Sequence, residues 1–165
     1  NYYLYISLMK TTHTHQPVSI GYKICRLSRS AHVYFKHRFG ELGLGHAQGL
    51  TLHHICRHDG MDQLALLEKV RLDKSSLTSQ LQKLEENGYI SRESDPRDRR
   101  AKRIVITDKT RAIEADLHDI FASWTGVLTA GLDANERDTL IALLDKLQSN
   151  ASDTLKEMRE HDETT

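Results

Sequence analysis

The 165-residue chain balances 23 Lys and Arg against 23 Asp and Glu, a formal net charge of zero, with 38% hydrophobic and 28% charged residues. That length gives one domain of ordinary size with a core of its own, and two cysteines, Cys25 and Cys56, exclude a disulfide scaffold and point to a reduced, cytoplasmic setting. Neutrality argues against a polyanion partner, yet it is only an average: residues 1–111 hold 19 Lys and Arg against 11 Asp and Glu, a net of +8, and residues 112–165 hold 4 against 12, a net of −8. The chain reads as a basic body with an acidic helical tail, which admits a polyanion partner for the first part.

Residues 1–18 read as a tail. The apolar run from Tyr2 to Met9 lacks a basic leader and a small-residue cleavage site and is shorter than the roughly 20 residues that span a bilayer, so neither a signal peptide nor an anchor is expected. Met9-Lys10-Thr11-Thr12-His13 has the look of a natural start. The first eight residues are then either an appended or upstream extension, or a short strand or arm that packs on a partner subunit.

From Ser19, the residues Ile20, Ile24, Leu27, Ala31, Tyr34 and Phe35 recur at helical steps and predict a first amphipathic helix ending before Gly40. Its other face carries Lys23, Arg26, Arg29, Lys36 and Arg38 with no acidic residue between Ser19 and Gly40. After the break Glu41-Leu42-Gly43-Leu44-Gly45, a second helix is expected over Ala47 to His58, stopped by Asp59-Gly60, and a third over about Asp62 to Val70. The turn Arg71-Leu72-Asp73 leads into a fourth helix, Lys74 to Asn87, with Asp73 as N-cap and Asn87-Gly88 as its stop. Tyr89-Ile90-Ser91-Arg92 and Lys102-Arg103-Ile104-Val105-Ile106-Thr107 read as the two strands of a hairpin around a polar turn, Glu93 to Ala101.

From Asp108 the helical period returns with Ile113, Leu117, Ile120, Phe121, Trp124, Val127 and Leu128. Gly131-Leu132 breaks it. Asp133-Ala134-Asn135-Glu136 then has the form of a capping box opening a last helix with Leu140, Leu143, Leu144, Leu147, Leu155 and Met158. These two stripes exceed what a small domain covers, so a homodimer in which the first, fifth and sixth helices interleave is expected; a monomeric helical subdomain with its own core is the alternative. The fold class is thus mainly α with a small β-hairpin wing. The expected segments are a tail (1–18), a first dimerisation helix (19–45), a winged helix-turn-helix lobe for DNA (46–107), C-terminal dimerisation helices (108–160) and a tail (161–165).

On the fourth helix Leu77, Leu81 and Leu84 form the buried stripe, so Ser75, Ser79, Gln82 and Glu86 project from the opposite face, flanked by Thr78 and Lys83. Small hydroxyl and amide side chains near a helix N-terminus suit major-groove insertion, since they let the backbone approach and bond to base edges and phosphates. A solvated polar face has the same composition, and the neighbouring turn and wing favour the DNA reading. At the hairpin tip, Ser94-Asp95-Pro96-Arg97-Asp98-Arg99-Arg100 crowds three arginines into four positions. Such an Arg can enter a narrow minor groove, with the adjacent Asp as a strut for its guanidinium.

Asp73-Lys74-Ser75-Ser76-Leu77-Thr78, Leu84-Glu85-Glu86-Asn87-Gly88-Tyr89-Ile90, Asp95-Pro96-Arg97-Asp98-Arg99-Arg100-Ala101 and Ile106-Thr107-Asp108 together resemble the signature of the multiple-antibiotic-resistance regulator (MarR) family of winged-helix proteins. The resemblance covers about Ser19 to Ser149, including Leu42-Gly43-Leu44 and Gln48. It implies a homodimeric transcription factor on a double-stranded, pseudo-palindromic operator, expected to be a repressor and not an enzyme. Lys74, Ser75, Ser76, Thr78, Ser79, Gln82 and Lys83 would lie in or beside the major groove. Arg97, Asp98, Arg99 and Arg100 would form the wing contact, with Arg100 in the minor groove braced by Asp98. The sequence departs from the pattern at Arg71 and Thr110, each of which stands where the family usually has Gly.

The resemblance further implies a small phenolic or aromatic effector between the dimerisation helices and the DNA lobe, from Lys23, Tyr34, Arg38, His53 and His54, a set able to hold an aromatic carboxylate. The alternative is that these are ordinary core-rim and surface residues. His54 and His58, and Glu114 and His118, have the four-residue spacing of paired metal ligands, and the family's zinc-sensing branch suggests Cys25, Glu41, His46, Glu114 and His118, although Glu114 replaces an expected histidine. Scattered histidines are more often surface residues, so no metal and no cofactor is assigned. Redox sensing through Cys25, flanked by Lys23 and Arg26, is a further alternative beside a buried inert thiol; the position used by the peroxide-sensing branch falls at Gly21. The competing class of function is a winged-helix protein-interaction module. An enzyme is disfavoured for want of a nucleophile–base pair or phosphate loop, and no membrane partner is expected.

Overall fold

The computed structural model describes residues 19–70, 72–95 and 102–162. Their elements are α1 (Ile20–Glu41), α2 (His46–Cys56), β1 (Met61–Asp62), α3 (Gln63–Val70), α4 (Lys74–Glu86), β2 (Ile90–Ser94), β3 (Lys102–Ile106), α5 (Asp108–Leu128) and α6 (Ala134–Asp162). The architecture is the expected one, mainly helical with a small antiparallel sheet in the order β1-β3-β2. Two compact units divide within α5, the first running to Phe121 and the second beginning at Ala122.

Local chemistry sets the element ends. The Ser19 hydroxyl accepts from the Tyr22 amide at 3.2 Å and opens α1. That helix runs through Gly40 to Glu41, slightly beyond the expected stop, because the residue that leaves helical geometry is Gly43, at φ +72°. Gln48 reaches back to the Gly45 amide at 2.9 Å to close the first turn of α2. The Asp62 carboxylate accepts from the amides of Leu64 and Ala65 at 2.8 and 2.9 Å, which caps α3. Asp133 and Glu136 exchange backbone-to-side-chain bonds of 2.9 Å each, the reciprocal box expected at the start of α6.

The core of the first unit lies where α2, α4 and the sheet meet. Leu77, Leu81 and Leu84 of α4 are fully buried against a layer that includes Leu52 and Ile55 of α2 and Leu66 of α3, with Ile90 and Ile104 from the sheet. A second cluster is aromatic: Phe39 stacks on Phe35 at 5.5 Å and lies 5.9 Å from Phe121, whose ring is stacked on His53 at 3.8 Å. Gly49 lets α2 approach this cluster, because a methyl group there would sit 2.4 Å from the Phe39 ring.

β1 is absent from the sequence reading, which begins the third helix at about Asp62 and leaves Met61 between elements. It pairs with β3 through Met61↔Ile104 and Asp62↔Arg103, and Arg103 donates from Nε to the Gly60 carbonyl at 2.7 Å. A two-residue strand has no alternation to detect; its partner, some forty residues on, creates it.

In the second unit, α6 is a 29-residue helix, about 43 Å long, in which no described side chain is buried. Leu140, Ile141, Leu143, Leu144, Leu147, Leu155 and Met158 are 37–59% exposed. No helix among the described residues is long and apolar enough to cross a membrane.

Candidate nucleic-acid interface

The α4 helix is seated by its leucine stripe and oriented by its cap. Asp73 accepts from the Ser76 amide at 2.8 Å and from the Ser75 hydroxyl at 2.5 Å, and these bonds hold its carboxyl well below the usual carboxylate range. Asn87 ends the helix, and Gly88 at φ +72° turns the chain into β2.

With the leucines inward, Lys74, Ser75, Thr78, Ser79, Gln82 and Lys83 are exposed and Ser76 is half-buried. The structure therefore gathers all seven α4 candidates on one helix, six of them open to solvent. Their side chains differ in freedom. The Thr78 hydroxyl donates to the Lys74 carbonyl at 2.7 Å and accepts from Gln63 at 3.1 Å, which ties α3 to α4, while Gln82 donates to Glu86 at 2.8 Å.

β2 and β3 form the wing in register from Ile90↔Ile106 to Ser94↔Lys102. Arg92 on β2 meets Glu85 of α4 at 3.4 Å and joins the wing to the helix. Arg97, Asp98, Arg99 and Arg100 lie outside the described residues, as does Arg71. Behind the wing, Asp59 accepts from the Ile106 amide at 2.9 Å and pairs with Arg111 at 3.5 Å, so one carboxylate links the α2–β1 turn, β3 and α5. Thr110, where the family pattern has Gly, is fully buried and donates to the Tyr89 carbonyl at 2.5 Å. The departure thus adds a satisfied hydrogen bond rather than a clash.

The proposed effector residues are not brought together as one set. Tyr34 and Arg38 meet, with Nη1 of Arg38 3.4 Å from the Tyr34 hydroxyl, which itself donates to the Ile120 carbonyl at 3.3 Å. Arg38 also pairs with Glu41 at 3.1 Å. The adjoining cleft, about 190 Å³, is lined by Arg38, Glu41, Asp116 and Asp119 among others, so carboxylates outnumber cations there. Lys23 is exposed and lies 11 positions before Tyr34 on α1, roughly 16 Å along the axis. His53 is packed on Phe121, and burial, reinforced by His54, Arg57 and His118, lowers its pKa to about 4.

His54 faces a different space. A cavity of about 310 Å³ lies between α2 and the α3–α4 segment, with His54, His46, Thr51, Leu72 and Gln80 in its wall. Sequence reasoning missed it because three elements must meet to form it; adjacent residues such as His53 and His54 point about 100° apart on a helix, and that geometry alone was a usable signal.

The alternative sensing residues are likewise dispersed. His46 lies against His32 with ring centroids 4.2 Å apart, and Glu41 is engaged by Arg38 and by His37 at 3.3 Å. Among the described residues no group of three or more His, Cys, Asp or Glu is placed to hold a metal ion. Cys25 is exposed, not the buried thiol offered as its alternative, and so is every described residue from Ser19 to Ser30. Cys56 is half-buried, and burial, with Glu114 and Asp59 nearby, pushes its thiol up to about 11, an unreactive state at neutral pH.

Helices α2, α3 and α4, with α4 capped, seated by its buried leucines and open on its polar face, and a hairpin after them define a winged helix-turn-helix protein. The MarR family model matches residues 44–102, a span that holds the helix-turn-helix and most of the wing. The chain is 29% identical to a MarR transcriptional regulator from Methanosarcina mazei Go1, over 81% of this chain and 96% of that one, with a TM-score of 0.72. It is 31% identical to the transcriptional regulator PA3341, over 82% of this chain and 99% of that one, with a TM-score of 0.72. It shares its fold with MepR of S. aureus in a complex with DNA, at 21% identity, over 81% and 97% of the two chains, with a TM-score of 0.75. The chain belongs to the MarR family, a family of transcriptional regulators.

Proposed function

We propose that this protein is a cytoplasmic homodimeric repressor that binds a pseudo-palindromic DNA operator, one winged helix per half-site, and leaves it when a small molecule binds. The observation that carries the reading is the exposed polar face of α4, with Lys74, Ser75, Ser79, Gln82 and Lys83 standing clear of the leucine stripe. The MepR complex with DNA supports the same use of the fold. Segregated charge supports it as well: the net of +8 falls in residues 1–111 and the net of −8 in residues 112–165.

Dimerisation is supported by surface that a single chain leaves bare. Ile20, Ile24 and Leu27 of α1 are 43–65% exposed, and the α6 stripe is comparably open. A helix as long as α6 draws its stability from burying an apolar face, which a second copy would supply. Arg97, Asp98, Arg99 and Arg100 complete the proposal as the wing contact, with Arg100 in the minor groove braced by Asp98.

DNase footprinting of the full chain on the DNA upstream of its own gene tests the reading. Two protected half-sites about 10 base pairs apart, related by an inverted repeat, are expected. Arg100→Ala should weaken binding by about 1–3 kcal/mol with the dimer intact. Absence of a footprint, or affinity unchanged by Arg100→Ala, contradicts it.

A further inference from the structure

We infer that Gln63, the first residue of α3, is a second reader of DNA sequence beside α4: its amide is held by Thr78 and presents to the major groove the donor and acceptor that recognise adenine. This role rests on the proposed DNA-binding function and adds to it a residue outside both the fourth helix and the wing.

α3 begins beside the face that α4 turns outward. The Asp62 carboxylate fixes its first turn through the amides of Leu64 and Ala65, and the backbone of Asp62 is paired with Arg103 in the sheet. Gln63 therefore projects from a helix start that is held by a cap and by a strand. Its side chain reaches α4, where Nε2 lies 3.1 Å from the Thr78 hydroxyl. Thr78 is exposed and stands one helical turn from Lys74 and one from Gln82, both members of the proposed DNA-facing set. The Gln63 amide thus ends in the row of side chains assigned to the groove, although its backbone belongs to another helix.

The hydrogen bonds around Thr78 decide which way the amide points. A hydroxyl has a single hydrogen, and that of Thr78 goes to the Lys74 carbonyl at 2.7 Å. Thr78 can then only accept from Gln63, which puts the amide nitrogen, and not the oxygen, against α4. A primary amide carries two hydrogens and one acceptor oxygen. Thr78 takes one hydrogen; the other stays beside Oε1, which receives no hydrogen bond from another described residue, and the two form an adjacent donor and acceptor. That pair is complementary to the N7 acceptor and N6 amino donor of adenine, the contact by which Gln reads that base in the major groove. Guanine offers two acceptors there and cytosine one donor, so neither satisfies both halves of the amide. Gln63 is half-buried as well as bonded to Thr78, so little rotamer freedom is left to lose on binding.

Sequencing of the duplexes that the full chain selects from a randomised pool tests this, with the wild type, Gln63→Ala, Gln63→Glu and Thr78→Val compared. The wild type should select adenine at one position of each half-site, and Gln63→Ala should reduce that preference about fivefold or more while the rest of the profile is retained. Gln63→Glu keeps the acceptor and loses the donor, so the preference at that position should move from adenine to cytosine. Thr78→Val keeps the side-chain shape without the hydroxyl and should weaken the preference at the same position. A Gln63→Ala profile identical to that of the wild type overturns the assignment. So does a loss of affinity spread equally over all sequences, the mark of a phosphate contact or of a merely structural tie between α3 and α4. A preference at that position left intact by Thr78→Val overturns the orientation by Thr78. A wild type that selects no sequence overturns the functional reading and the role of Gln63 together, whereas a wild type that selects a site indifferent to Gln63 overturns the role of Gln63 alone.

Discussion

Replacing Gly49 with alanine isolates the contact that holds α1 against the helix-turn-helix. The added carbon would lie 2.4, 2.4 and 2.6 Å from three atoms of the Phe39 ring, where ordinary contact begins near 3.4 Å. Phe39 has no exposed surface and is flanked by Phe35 and Phe121, so the ring must retreat by about 1 Å into neighbours that are themselves packed. Overpacking of this kind costs about 1–3 kcal/mol, and the helical preference of alanine over glycine returns up to about 1 kcal/mol. The net expectation is a loss of about 1–2 kcal/mol, read by urea unfolding with the slope unchanged. Gly40→Ala is the matched control: it also lies inside a helix, but nothing is within 4 Å of the added carbon, so it should gain about 0.5 kcal/mol. Equal shifts for the two substitutions, or a gain at Gly49, would show that the α1–α2 approach is not as close as described.

Three further outcomes follow from other parts of the molecule. Leu144→Asp with Leu147→Asp, two side chains 47% and 38% exposed in the single chain, should convert the proposed dimer to monomer in sedimentation experiments, since each leucine would gain about 1 kcal/mol from completed burial; a wild type that sediments as a monomer, or a coefficient unchanged by the substitutions, refutes the proposed seam on α6. His53 is neutral at pH 7 and its pKa of about 4 is below the ordinary histidine value, so the unfolded chain binds the extra proton first. Stability is therefore full above about pH 6.5 and falls as pH drops towards 4, and His53→Leu should flatten the decline in thermal midpoint between pH 7 and 5; an identical decline in the variant contradicts this. Thr110→Val removes the buried hydroxyl that donates to the Tyr89 carbonyl. It should cost about 1 kcal/mol, because that carbonyl keeps its bonds from the Thr107 amide and hydroxyl; a variant as stable as the wild type would show that this bond adds nothing.

The most legible part of the sequence was α4. Its three leucines, Asp73 at the start and Asn87-Gly88 at the end interact within one or two turns, so spacing alone reveals them, and all three leucines are fully buried. The Asp133–Glu136 box was visible for the same reason. Features made by distant partners were not visible. β1 exists because Met61 meets Ile104, and the aromatic cluster joins Phe35 and Phe39 of α1 to His53 of α2 and Phe121 of α5. The effector residues illustrate the limit most plainly: Tyr34 and Arg38 share a helix face and meet, whereas neighbours in sequence, His53 and His54, have different surroundings, and only His54 opens on the cavity.

In the proposed function, α4 and the wing bind DNA as a polyanion and read its sequence. Fluorescence anisotropy of the full chain with a labelled duplex from upstream of its own gene, repeated across a salt series, tests it directly. The logarithm of the affinity should fall linearly with the logarithm of salt concentration, with a slope of about −0.9 for each phosphate neutralised. Lys74→Ala or Lys83→Ala, each removing one cation from a phosphate, should make that slope shallower by about 1, and Gln82→Ala should narrow the preference over a scrambled duplex. Affinity that is independent of salt, or equal for the native and scrambled duplexes, would contradict it.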